Sequence, residues 1–103
     1  MTDLTALSAL ADPTRRRVFE RVAEGPASVA EITRGLPISQ PAVSQHLKVL
    51  REAGLVTGKA KGASTIYRID PAGLGPLRAW IDRFWDAQLE AFRKAAEAEE
   101  KIP

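Results

Sequence analysis

The chain has 103 residues, seven glycines, seven prolines, no cysteine and a formal net charge of +2. That length fits one domain of modest size, with a core small enough that a partner subunit would add to its stability. The lack of cysteine excludes disulfides and thiolate metal sites.

The opening residues, Met1 to Leu7, have neither a basic n-region nor a long apolar run, so a secretory signal is not expected. No apolar stretch approaches the roughly 20 residues needed to span a membrane, and a cytoplasmic location is expected. Charge is placed unevenly. Between Arg34 and Arg68, Arg34, Lys48, Arg51, Lys59, Lys61 and Arg68 are opposed only by Glu52, whereas beyond residue 70 acids slightly outnumber bases. A basic middle on a near-neutral chain suits a phosphate-facing surface.

A first helix is expected over 4–11, capped by Asp3, with Leu4, Leu7 and Ala11 as a narrow apolar stripe. It is too short to stand alone and must dock on something. Asp12 and Pro13 then give a clear start signal, a capping residue followed by Pro at the first helical position. Val18, Phe19 and Val22 line one face of this second helix, and Gly25 with Pro26 ends it. Arg15, Arg16 and Arg17 point three ways around the axis, which suits structural or ion-pairing roles better than a basic patch.

Ser28 and Glu31 match the capping-box pattern of a short third helix that buries Val29 and Ile32 and runs to about residue 34. Gly35 to Ile38 is a tight connection into residues 39–54. There Ser39 is placed to cap, Pro41 sits in the first turn, and Gly54 supplies the stop. Val43, Leu47 and Leu50 share one side of this fourth helix. The other side shows Gln40, Ser44, Gln45 and Lys48, short polar groups, amides and one cation. Such a face is either simply solvated or shaped to approach a polar surface, where amides and hydroxyls can read base edges in a major groove. Two short helices joined by a Gly-containing turn form a helix-turn-helix whose second member enters the groove. His46, at the edge of the buried side, is expected to be partly buried and hydrogen-bonded. It cannot pair with Ser44 as base and nucleophile, because residues two apart on a helix face away from each other. No residues support an enzyme.

Beyond Gly54 the period changes. Residues 55–59 and 64–69 read as strands, with Lys61, Gly62 and Ala63 as the hairpin tip. A ribbon directly after a reading helix is a wing, and Lys59 and Lys61 near its tip could reach phosphates or an adjacent minor groove. Asp70 and Pro71 open the last helix, but Gly73, Gly75 and Pro76 delay its start to about residue 74 or 76, and it is expected over 74–99. Leu77, Trp80, Ile81, Phe84, Trp85, Leu89 and Phe92 cover far more of it than a narrow stripe. A second copy of the same helix would cover the excess. A Trp-rich face could instead hold a hydrophobic small-molecule effector, though core and interface roles are commoner.

These elements meet particular motifs. Ala11 to Arg15, the run Ser39 to Leu50, the exit Glu52 to Val56 and Tyr67 on the wing together resemble the ArsR/SmtB family of bacterial repressors. The resemblance covers about residues 5–92. It extends to a subgroup of short regulators without metal ligands, whose last helix has a pattern like Asp82-Arg83-Phe84-Trp85. The resemblance implies a mainly α fold with a two-stranded β-wing: four helices, two strands and a fifth helix in one domain, 1–103. It also implies a homodimer paired through 1–11 and 74–99, acting as a repressor of its own or a neighbouring promoter. The implied partner is double-stranded DNA, with Gln40, Ser44 and Gln45 at the bases, Lys48 and the wing lysines Lys59 and Lys61 at the backbone, and Ser39 and Pro41 also among the DNA-binding residues. Leu4, Leu7 and the apolar residues of the last helix form the implied dimer interface. The family's metal sensors carry Cys before the reading helix, or Asp and His on the last one. Here Asp82, Asp86 and Glu90 lack imidazoles beside them, so no metal or cofactor is expected. Ala63 stands where the family's wing often has a basic residue. The alternative readings are a winged-helix protein–protein module without DNA binding and a ligand-responsive repressor.

Overall fold

In the computed structural model, residues 3–100 are described, with side chains from Thr5 to Glu99. The order is α1 (Asp3–Ala11), α2 (Pro13–Glu24), β1 (Ala27–Ser28), α3 (Val29–Arg34), α4 (Gln40–Glu52), β2 (Val56–Lys61), β3 (Ser64–Ile69) and α5 (Pro71–Glu100). This is a winged helix-turn-helix, mainly helical, with an antiparallel hairpin as the wing.

Local chemistry sets the helix starts. The Asp12 carboxylate accepts from the Arg15 backbone N–H at 2.9 Å, and Pro13 follows it as the first helical residue. Ser28 and Glu31 form a complete capping box: the Ser28 hydroxyl accepts from Glu31 N–H, and the Glu31 carboxylate accepts from Ser28 N–H. Arg15 also donates to the Ala9 carbonyl at 3.3 Å, tying α2 to the end of α1.

The core is small and aliphatic. Val18 and Val22 of α2, Ile32 of α3, and Val43, Leu47 and Leu50 of α4 meet Leu55 and Val56 at the foot of the wing. Val29, expected to be buried, and Phe19 are only partly so and pack against this cluster.

Four expectations are corrected. First, the sheet has three strands, in the order β1-β3-β2, because Ala27 and Ser28 pair with Tyr67 and Ile66. Second, β2 runs to Lys61, which pairs with Ser64, so the tip is only Gly62 and Ala63. Gly62, at φ 61°, supplies the left-handed turn a short hairpin needs. Third, α5 begins at Pro71 rather than 74. The Asp70 carboxylate accepts from Ala72 N–H at 3.0 Å and starts the helix early. Pro76 lies inside the helix, in its second turn, and removes the rung to the Ala72 carbonyl. Fourth, Leu77 is taken up by the core of its own chain and offers little to a second subunit. Asp3, expected as a cap, lies within α1, and the side chain of Leu4 lies outside the described residues.

Past Leu77, α5 leaves the core. From Arg78 to Glu99 every residue except Ala96 is exposed. No helix among the described residues is long and apolar enough to cross a membrane.

Candidate nucleic-acid interface

Helix α4 presents two sides. Val43, Leu47 and Leu50 are fully buried. Ser39, Gln40, Pro41, Ser44, Gln45 and Lys48 are all exposed. Gln40, Ser44 and Lys48 succeed one another at every fourth position, with Pro41 and Gln45 alongside, so one surface holds them all. Both ends of the helix are fixed. The Ser39 hydroxyl accepts from Ala42 N–H at 3.3 Å. At the other end, Leu55 N–H donates to Leu50 O and Gly54 N–H to Arg51 O, with Gly54 at φ 78°. That is a Schellman closure, and glycine is the residue that adopts it without strain. The polar face therefore sits on a helix that is capped, closed and backed by the core.

The wing has two unlike faces, and its register assigns them. Val56, Gly58 and Ala60 stand opposite Ile69, Tyr67 and Thr65; Thr57, Lys59 and Lys61 stand opposite Arg68, Ile66 and Ser64. Directly paired residues share a face. The first set faces the core. Gly58 belongs to it because a Cβ there would come within 3.1 Å of the Tyr67 ring. Between this face and the helices runs a cleft of about 290 Å³ lined by Ser28, Ala30, Gln40, Ala63, Thr65 and Tyr67, without a charged residue. The second set carries the cations. Lys59, Lys61 and Arg68 line a separate cleft of about 520 Å³ with Ile66, Pro26 and Glu31.

The structure thus gathers Ser39, Gln40, Pro41, Ser44, Gln45 and Lys48 on one surface and adds Thr65 and Tyr67 beside Gln40. It sets Lys59 and Lys61 apart, on the hairpin face opposite the cleft that Gln40 lines. Arg68 joins them there. Sequence reasoning passed over Arg68, Thr65 and Ser28 as site residues; the cross-strand pairing, which alternation in 64–69 foreshadows, is the signal that finds them.

His46 departs from expectation. It is half-buried, but its Nδ1 has no hydrogen-bond partner among the described residues. It lies near Asp12, whose carboxyl is held below the usual range first by the Arg15 backbone N–H and then by the charges of Arg15 and His46. Glu31 is likewise held low, by the Ser28 backbone N–H and then the Ser28 hydroxyl. Among the described residues, no group of three or more His, Cys, Asp or Glu is placed to hold a metal ion.

Comparison with known proteins bears directly on this arrangement. Residues 10–59, from the end of α1 into the wing, match the family model of a helix-turn-helix domain. The chain is 49% identical over 94 residues to the HTH-type transcriptional regulator Rv2034 of Mycobacterium tuberculosis, covering 91% of this chain and 88% of that one. It is 36% identical to the arsenic resistance transcriptional regulator ArsR1 of Pseudomonas putida, over 88% of this chain and 69% of the relative. The chain belongs to the ArsR/SmtB family. Like its relatives in that family it is a transcriptional regulator and not an enzyme. Among solved structures, a possible transcriptional regulator for arsenical resistance superposes with a TM-score of 0.72 at 42% identity, covering 87% of this chain and 94% of that one. The homodimeric winged helix-turn-helix DNA-binding domain of Mb0332 from Mycobacterium bovis gives 0.65 at 25% identity, covering 81% and 77%. The arsenic-related names do not transfer to this ArsR/SmtB member's chemistry. A soft metalloid site needs thiolates, and the chain has no cysteine.

Proposed function

We propose that the protein is a homodimeric, sequence-specific DNA-binding repressor acting on its own or a neighbouring promoter in the cytoplasm. Each subunit lays α4 in a major groove. Gln40, Ser44 and Gln45 meet base edges, Ser39 and Pro41 approach the backbone at the helix start, and Lys48 contacts phosphate. The observation that carries this reading is the composition of the exposed side of α4. A solvated helix of a soluble domain ordinarily shows long charged side chains. From Gln40 to Lys48 this one shows hydroxyls, amides and a single lysine over a fully buried back, and Arg51 and Glu52 come only in its last turn.

Pairing of subunits rests on α5. Phe84 is 62% exposed, Trp85 58% and Phe92 74%, and Trp80, Ile81 and Leu89 are exposed beside them. Trp80 and Phe84 stack with centroids 6.2 Å apart, making one continuous apolar face. Leu7 of α1, 42% exposed, adds to the apolar surface, and α1 packs against α5. Faces this apolar on a soluble helix mark an interface, and an identical helix related by a two-fold axis is its simplest complement. The homodimeric state of the Mb0332 domain supports the same arrangement.

Fluorescence anisotropy with duplex DNA from upstream of the protein's own gene, against a scrambled duplex, tests the proposal. Tighter binding to the native sequence, weakening steeply with salt, is expected. Indifference to both duplexes at low ionic strength would leave only a protein–protein module. Nothing specific favours an effector site beside Trp80, Phe84 and Trp85: the clefts of about 450 and 520 Å³ lie at α1–α4 and on the wing, away from them.

A further inference from the structure

We propose that the cleft between α1, the start of α2 and the end of α4 binds a small zwitterion, an α-amino acid with a short apolar side chain. The site is separate from the exposed face of α4 and stands whether or not the chain binds DNA.

The cleft has a volume of about 450 Å³, in the range of small-molecule pockets. It carries one charge of each sign. Arg15 and Glu52 both line it, yet no ion pair joins them. Arg15 is in the first turn of α2 and Glu52 in the last turn of α4. The helix dipoles add to the same polarity, favouring an anion at Arg15 and a cation at Glu52. Ser8 adds a hydroxyl, and Ala9, Val49 and Ala53 supply an apolar wall.

Arg15 is short of acceptors. Its Nε is enclosed without a hydrogen-bond partner among the described residues. Its side chain donates from one terminal nitrogen to the Ala9 carbonyl, at a long 3.3 Å. Asp12 stands beside it, but the Asp12 carboxylate accepts from the Arg15 backbone N–H at 2.9 Å. Polar groups this enclosed are ordinarily matched, and the acceptor that fits a guanidinium fork is a carboxylate. Glu52 is exposed and makes no ion pair among the described residues. A simple carboxylate bound at Arg15 would meet the negative charge of Glu52. An α-amino acid answers both groups at once, carboxylate to the terminal nitrogens of Arg15 and ammonium to Glu52. Its side chain then rests on the alanines and Val49.

Leu7, the α1 residue assigned to subunit pairing, lies on the other side of that helix from Thr5, Ser8 and Ala9. The pairing proposed above therefore does not use the cleft.

Isothermal titration calorimetry of the full chain with L-alanine, L-valine and L-leucine, each to about 10 mM, tests the site. Backbone 15N chemical shifts at Ala9 and Ala53 give a second readout. At least one of the three is expected to bind with a dissociation constant below about 1 mM. Two analogues of the best ligand, one lacking the ammonium and one the carboxylate, should bind at least about tenfold more weakly. For L-valine these are isovalerate and isobutylamine. Glu52→Gln, an exposed change whose fold circular dichroism will confirm, should weaken the amino acid at least about tenfold and leave the ammonium-free acid no weaker. Neither heat nor shift from any of the three amino acids overturns the proposal. So does an ammonium-free acid that binds as tightly as the amino acid, or a Glu52→Gln variant that binds the amino acid like wild type.

Discussion

Gly73, in the first turn of α5, lies against the backbone of Gly54, where α4 ends: a Cβ on Gly73 would stand 1.6 Å from the Gly54 carbonyl oxygen. The Asp70 N–H donates to Leu55 O at 2.9 Å beside it. The reading helix and the long helix proposed to pair subunits are therefore joined backbone to backbone.

Gly73→Ala cannot be absorbed by a flexible side chain, because the atom it meets is main chain. The substitution should destabilise the fold by about 1–3 kcal/mol or more, as overpacking does. Urea denaturation will show the midpoint falling. A midpoint equal to wild type would mean that the two helices are not in contact there.

Gln45→Ala should relax the base preference at one operator position, costing about 1–3 kcal/mol on the preferred sequence and little on others. Anisotropy against duplexes varied singly at each position measures this. An equal loss on every duplex would make Gln45 a backbone contact.

Phe84→Glu sets a carboxylate in the centre of the exposed α5 face, far from the core. The chain should stay folded but lose self-association, and with it most DNA affinity, since a dimer gains from two half-sites at once. Analytical ultracentrifugation will read the mass. A Phe84→Glu variant that still sediments as a dimer would move the interface elsewhere.

The helix caps predict an acid limit. Asp12 and Glu31 are both held below the usual carboxylate range in the folded chain, chiefly by backbone N–H groups. The unfolded chain therefore takes up protons first as pH falls. Stability from these caps is complete above about pH 4 and is lost below it as the folded values are passed. Glu31 is exposed and Asp12 only half-buried, so the effect is modest. Glu31→Gln should flatten the acid limb of the stability–pH curve, and an unchanged limb would remove the capping box from the cause.

Much of this was legible in the sequence because it is local. Asp12-Pro13, the Ser28 to Glu31 box, Ser39 and Gly54 each act within a few residues of themselves. The two sides of α4 follow from spacing alone. What was not legible depends on distant partners. Strand β1 is two residues long, too short for alternation to show, and exists because Tyr67 and Ile66 lie beside it. Helix α5 starts early although Gly73, Gly75 and Pro76 argue locally against it. Its first turn has the Asp70 cap, and glycine at 73 permits the close approach to Gly54. Leu77 fits the apolar pattern of α5 as well as Phe84 does, and only the packing of the core separates them. The sequence places Lys59 and Lys61 near the wing tip; which face of the hairpin they occupy comes only from the strand register.

The central claim, two α4 helices in successive major grooves, is tested most directly by methylation interference. Guanine N7 lies in the major groove, so methylating it blocks a helix seated there. On the duplex from upstream of the gene, two clusters of interfering guanines about 10 base pairs apart are expected, one for each subunit. A single cluster, or protein binding untouched by N7 methylation at any position, would contradict the account.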